Sequence, residues 1–296
     1  MHRYKALCGS AAEYVLSHGK KMQVIAVHSE SVYMRAENGR MLLLCPSKYG
    51  VVPFGAALDD FYLLRGEREF FVGEYASVEK NELHFDGYVL SLDIKSGEVR
   101  RELSSMVPSY KTIGYCASYV LENASSRGMG PALPAFLCMS SPSDKSNAYA
   151  LSAAAEADKL EQSLTFLDER GLSEVLGKFI GLGYGLTPSG DDFVCGMAYA
   201  FRRYSKCSEH SKKCFELLSR AVKVKLSGTN EISREYLLCA TGGEYFEVVE
   251  RVLDAISKKA IVRAEADIAM AKLLTVGASS GSDILCGILF ACYLLS

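Results

Sequence analysis

Between two apolar stretches the chain runs Gly181-Leu-Gly-Tyr-Gly-Leu-Thr-Pro-Ser-Gly-Asp-Asp-Phe193, which packs four glycines, a proline and two adjacent carboxylates into one connection. Gly183, Gly185 and Gly190 permit positive φ and a close approach of backbone to a ligand. Thr187, Ser189 and the amides around the start of a helix at Asp191 can aim donors at one point. Such donors suit a small anion, a phosphate or a carboxylate. Asp191 and Asp192 lie in the first turn, where the helix dipole favours negative charge, so they are expected to stay ionised. They are suited to accepting N–H groups or holding a metal, with the cofactor left unknown and Mg2+ one candidate. A phosphate at the same place would need Mg2+, Lys or Arg between it and them, and Lys178, Lys225, Arg234 and Lys272 are the cations nearby in sequence.

The device recurs at an offset of 91 residues: Ser189-Gly-Asp-Asp-Phe-Val-Cys-Gly-Met-Ala-Tyr-Ala200 aligns with Ser280-Gly-Ser-Asp-Ile-Leu-Cys-Gly-Ile-Leu-Phe-Ala291. Asp192 corresponds to Asp283, and these two are the candidate catalytic carboxylates. Ser279, Ser280 and Gly281 join the first loop as candidate binding residues. If a pseudo-twofold axis relates the two helices, their N-termini face a common pocket. The competing reading is that Ser and Asp merely cap two helices, worth about 1 kcal/mol each. Four glycines in one loop cost more chain entropy than capping requires. A third segment, Gly228-Thr-Asn-Glu-Ile-Ser233, reads as a C-terminal glycine followed by a cap, although Thr229, Asn230 and Ser233 could face the same pocket.

Other chemistries find little support. His2, His18, His28, His84 and His210 lie in no loop with Cys or carboxylates at zinc-ligand spacing. Ser189 lies in no GxSxG elbow, which disfavours a Ser-His-Asp hydrolase.

The segment GLGYGLTPSGDDF, with TNEIS at 229–233, Gly243-Glu244 and GASSGSD at 277–283, resembles the AllH-type family of bacterial proteins, which includes the third subunit of oxamate carbamoyltransferase. The resemblance covers roughly 175–296. It implies a role in anaerobic allantoin breakdown, in which oxalurate and phosphate exchange with oxamate and carbamoyl phosphate in a complex with two other subunits. This chain departs from the family pattern at Ala278, where histidine is frequent, and at Tyr184, where the residue is commonly small or proline. The alternative is a non-catalytic ligand-binding or scaffold subunit.

These loops need elements to position them, and a chain of 296 residues is long enough for about two domains with real cores. From about Met22 to Val107 the pattern has period two or short apolar runs, with turn signals at Asn38-Gly39, Lys80-Asn81 and Asp86-Gly87. Gln23–Ala36 is expected to pair antiparallel with Met41–Cys45. An N-terminal antiparallel barrel or sandwich follows. After Pro108 the periodicity is helical, in Thr112–Ala124, Tyr149–Leu167 and nearly everything beyond, so the expectation is an α+β chain with a β-rich domain at 1–110 and a mainly helical one at 111–296. A net charge of −2 with no basic run argues against nucleic acid as partner. The ten cysteines contain no CxxC pair and read as reduced thiols, and the longest apolar run, Ile284 to Leu295, is too short to cross a bilayer. A cytoplasmic location is expected.

Overall fold

The computed structural model describes residues 2–94, 106–142, 146–244 and 246–296. The chain divides into two compact units, Met1–Glu102 with Glu244–Val248, and Leu103–Gly243 with Val249–Ser296.

The first unit contains β1 (His2–Cys8), α1 (Ser10–His18), β2 (Lys21–His28), β3 (Ser31–Ala36), β4 (Met41–Pro46), β5 (Gly55–Leu58), α2 (Phe61–Glu67), β6 (Tyr75–Glu79), β7 (Glu82–Phe85) and β8 (Tyr88–Ile94). The strands form a closed barrel in the order β1-β5-β4-β3-β2-β6-β7-β8. Every second residue of the early strands points inward, as a pleated strand dictates: Tyr4, Ala6 and Cys8 of β1, Val32, Met34 and Ala36 of β3, Leu42 and Leu44 of β4.

The barrel was expected; its pairing is more mixed than the sequence suggested. β1 pairs parallel with β8 and β4 parallel with β5, and two helices interrupt the strands. Closing the first strand onto the last in the same direction leaves no edge to protect. The long strand expected over Gln23–Ala36 is two, β2 and β3, folded back on each other with His28 opposite Ser31. The β3–β4 hairpin forms as expected, through a three-residue loop: Gly39 has φ +80° and its amide donates to Ala36 O at 2.9 Å. Only the glycine needs the left-handed region there, the pattern of a type I turn followed by a bulge.

The second unit is helical: α3 (Tyr110–Asn123), α4 (Leu133–Phe136), α5 (Ala148–Ala154), α6 (Ala157–Thr165), α7 (Glu169–Phe179), α8 (Ser189–Tyr204), α9 (Glu209–Lys225), α10 (Glu231–Gly242), α11 (Glu247–Ile256), α12 (Arg263–Leu274) and α13 (Ser280–Leu295). The first two residues of α11 cluster with the barrel unit. The helix expected over Tyr149–Leu167 is broken in two at Ala155-Glu156, where the Glu156 amide bonds Ala153 O three residues back.

Two helices dominate this unit because their sequences are apolar on every side. α8 is buried continuously from Ser189 to Phe201 and α13 from Gly281 to Cys292. They cross backbone against backbone. A Cβ on Gly196 would lie 2.0 Å from Ile284 O, and one on Gly287 would lie 2.0 Å from Phe193 O. Each contact becomes the other when 91 is added or subtracted, so the sequence repeat is a local pseudo-twofold axis through this crossing. Phe136, Phe179, Phe193 and Phe290 pack around it, the Phe136 and Phe193 rings 4.5 Å apart. All ten cysteines are free thiols; burial pushes those of Cys195 and Cys286 far up, which leaves them inert packing groups. Among the described residues no helix is long and apolar enough to cross a membrane.

Candidate functional site

The symmetry of the crossing brings the two Ser-Gly turns together. Thr187 Oγ1 and Ser280 Oγ are 2.8 Å apart, which joins the loop before α8 to the first residue of α13. Beneath that contact the carboxylates exchange partners across the axis. The hydroxyls of Ser280 and Thr187 favour the anion of Asp192, and those of Ser189 and Ser279 favour the anion of Asp283. Asp192 and Asp283 are only 3% and 0% exposed. The residues above them, Tyr184, Gly185, Gly277 and Ala278, are at the surface.

Asp283 is gripped from a segment that sequence reasoning left as a plain connection. Its Oδ1 accepts the Met129 amide at 2.5 Å, and a Cβ on Gly128 would lie 2.0 Å from the same oxygen. Asn147 fixes that segment. Its Nδ2 donates to Ser126 O and Gly128 O at 2.7 and 2.8 Å, while its Oδ1 caps α5 through the Ala150 amide. The signal available in sequence was an Asn immediately before a helical run, which suggests a cap and nothing of its second role.

Each carboxylate nevertheless keeps one oxygen without a hydrogen-bond partner among the described residues: Asp192 Oδ2 and Asp283 Oδ2. Burial pushes the Asp283 carboxyl up from 3.8 to about 6, against the pull of the Met129 amide and the two serine hydroxyls. Burial, and next the charge of Asp283, pushes Asp192 far above the ordinary carboxylate range. The helix dipole that favours ionised first-turn aspartates is opposed here by burial. A helix dipole contributes about 0.3–1 kcal/mol, whereas full burial of a carboxylate costs several times that.

Asp191 points elsewhere. It accepts the Gly181 amide at 2.8 Å, Ser233 Oγ at 2.6 Å and the Thr229 hydroxyl, tying the loop before α8 to the start of α10. Burial raises its pKa as well, against those three donors. Asn230 caps α10 through the Ser233 amide at 3.0 Å. Asp191, Thr229, Asn230 and Ser233 therefore form a structural clamp beside the carboxylate pair, the capping alternative of the sequence reading.

The glycines divide the same way. Gly190 and Gly281 let the ends of the preceding helices pass, since a Cβ would lie 2.0 Å from Phe179 O and 1.9 Å from Leu273 O. Gly183 has φ +123° and sits over the Ser189 amide, whereas Gly185, at φ +94°, faces open space. The first-turn amides are largely committed: Gly190 donates to Leu182 O, Asp191 and Asp192 to Pro188 O, Gly281 to Val276 O and Asp283 to Ser279 O, at 2.8–3.1 Å. Arg234 is spent on the carbonyls of Leu226 and Thr229. Among the described residues neither Asp192 nor Asp283 enters an ion pair, and no group of three or more His, Cys, Asp and Glu is placed to hold a metal. The crossing thus presents acceptors: two buried carboxylate oxygens ringed by hydroxyls. Such acceptors, when ionised, are chemically suited to an N–H donor or a cation, and the first-turn amides are already committed.

The class this defines is a chain of two units, one a small closed barrel and the other helical with a pseudo-symmetric carboxylate pair at the crossing of two buried helices. Residues 179–292 match the model of a protein family described as oxamate carbamoyltransferase subunit AllH. That span holds both Ser-Gly turns, the Thr229–Ser233 segment and both carboxylates; Gly128, Met129, Asn147 and most of the barrel unit lie outside it. No curated protein and no solved structure matches the chain.

Proposed function

We propose that the chain is one subunit of an oxamate carbamoyltransferase-like complex, and that the Asp192–Asp283 pair is its contribution to carbamoyl transfer between an oxalurate-like ureido acid and phosphate. The observation carrying this reading is the meeting of two matching turns over two buried, half-satisfied carboxylates inside the span that matches the family. Buried acceptors left without donors cost stability, and such groups concentrate where a ligand supplies what is missing.

In the transfer a phosphate oxygen forms a bond to the carbamoyl carbon while the bond from that carbon to the oxamate nitrogen breaks, and the departing nitrogen takes up the proton that phosphate gives up. No covalent enzyme intermediate is required. Positioning and charge stabilisation can supply the catalysis. Asp192 and Asp283 would hold the positively polarised side of the reacting group, either the carbamoyl N–H2 or a cation. Other groups, including those of partner subunits, would hold the carboxylate of the ureido acid. Allantoin breakdown in the cytoplasm is the setting this reading implies.

The test is reconstitution with candidate partner subunits and an assay for carbamoyl phosphate from oxalurate. Asp192→Asn should lower turnover by about 10²-fold or more while the complex still assembles. Unchanged turnover would remove the pair from the reaction. Assembly without any turnover in the parent complex would leave the scaffold role in its place.

A further inference from the structure

We infer that Asp192 and Asp283 together bind one hard divalent cation at the α8–α13 crossing. The inference deepens the reading of this site given above. The first observation is the pair of orphaned oxygens: Asp192 Oδ2 and Asp283 Oδ2 are each buried without a hydrogen-bond partner among the described residues, on side chains 3% and 0% exposed. Two carboxylates in one apolar crossing repel each other, as the charge of Asp283 acting on Asp192 records. No lysine or arginine among the described residues neutralises them. A divalent ion that displaces the remaining proton would balance both carboxylates at once.

The second observation is the chemistry of the surroundings. The groups facing the pair are hydroxyls, of Thr187 and Ser280 at Asp192 and of Ser189 and Ser279 at Asp283. An all-oxygen set of two carboxylates and neutral hydroxyls suits Mg2+, Mn2+ or Ca2+ and is a poor one for Zn2+ or Cu2+, which favour nitrogen and sulfur. The buried thiols of Cys195 and Cys286, one turn further into each helix, are held protonated by burial and offer no soft ligand. The third observation is geometric. Asp283 Oδ1 is locked by the Met129 amide under a glycine that leaves no room for a side chain, so Oδ2 is the oxygen available to an ion. A bound cation would also turn a site of acceptors into one that attracts phosphate or a ureido carbonyl oxygen, which the committed first-turn amides do not do.

The test is a titration of the full chain, stripped with EDTA, with Mn2+ followed by loss of the free-ion electron paramagnetic resonance signal, and with Mg2+ and Ca2+ followed by calorimetry. The expected result is one ion per chain with an affinity weakened more than about tenfold in both Asp192→Asn and Asp283→Asn. Thr187→Val with Ser280→Ala, which keeps both carboxylates, should weaken binding too and covers the case in which an Asn variant fails to fold. No saturable binding at millimolar ion, or binding equal in the parent and every variant, would overturn the inference. The two readings fail separately: ion binding with turnover indifferent to Asp192→Asn would keep the cation site and sink its part in transfer, while loss of turnover without ion binding would do the reverse.

Discussion

Freed of divalent ions by EDTA, Asp283→Asn and Asp192→Asn should unfold at a higher temperature than the parent chain near neutral pH, although both replace a carboxyl group that has several polar neighbours. The reason lies in the direction of the shifts. The folded-state pKa of Asp283 is raised from 3.8 to about 6, so above that range the fold carries an ionised carboxylate that burial disfavours. Between those two values the folded chain binds more protons than the unfolded one, and stability therefore falls as pH rises. Above pH 6 the destabilisation is complete, and for a displacement of about two pKa units it is on the order of 3 kcal/mol. Asp192 is displaced in the same direction. Asparagine keeps the shape and carries no charge, so each variant should gain several degrees in midpoint at pH 7 and lose most of that gain by about pH 4. Calorimetric melts across pH check this. Midpoints unchanged or lowered at neutral pH would mean that the carboxylates are stabilising as they stand, and that neither a proton nor a ligand is needed to satisfy them.

The second large effect belongs to the helix crossing. Gly287→Ala and Gly196→Ala each place a methyl group 2.0 Å from a main-chain carbonyl of the opposite helix, and backbone cannot yield as a side-chain tip can. Separating α8 from α13 would loosen the Phe136, Phe179, Phe193 and Phe290 cluster and pull Thr187 from Ser280. A cost of about 3 kcal/mol or more is expected for each, the upper end of what overpacking does. Gly114 supplies the contrast, because a Cβ there meets nothing within 4 Å and the residue lies inside α3. Gly114→Ala should stabilise by about 0.5–1 kcal/mol through helix propensity alone. Urea unfolding of the three variants separates the cases. Equal midpoints would show that the crossing is looser than the contact distances require.

What could be read beforehand followed from the kind of signal each feature carries. The barrel showed through the alternation in β3, β6, β7 and β8, and the helical half through its apolar periodicity. β5, Gly-Ala-Ala-Leu, has no β-branched or aromatic residue to announce a strand, and it forms because β1 and β4 on either side supply its hydrogen bonds. The carboxylate pair was legible because a twelve-residue pattern recurs with Ser, Gly, Asp, Cys, Gly and Ala at matching positions. Its partners from 128–129 were not, since a backbone amide and a glycine hold Asp283 and neither has a side chain to reveal the role. The opposing effect of burial on these aspartates was hidden for a related reason. Sequence places Asp191 and Asp192 in a first turn, and only the packing of α13 against α8 shows how far water is excluded from them.

That exclusion is also why the proposed role falls to the pair rather than to either member. Sites that break local rules of stability are those where function is expected to gain. Here the breach is specific: a fold rich in apolar side chains keeps two mutually repelling acids at its most tightly packed crossing.

The most direct measurement is a double-mutant cycle on unfolding free energy, with Asp192→Asn, Asp283→Asn and the double variant in EDTA at mildly alkaline pH. If the two carboxylates face each other, either substitution already removes their repulsion, and the double variant should gain less than the sum of the single gains by about 1 kcal/mol or more. Gains that add within about 0.5 kcal/mol would mean that the two side chains do not sense each other, and the shared site would be contradicted.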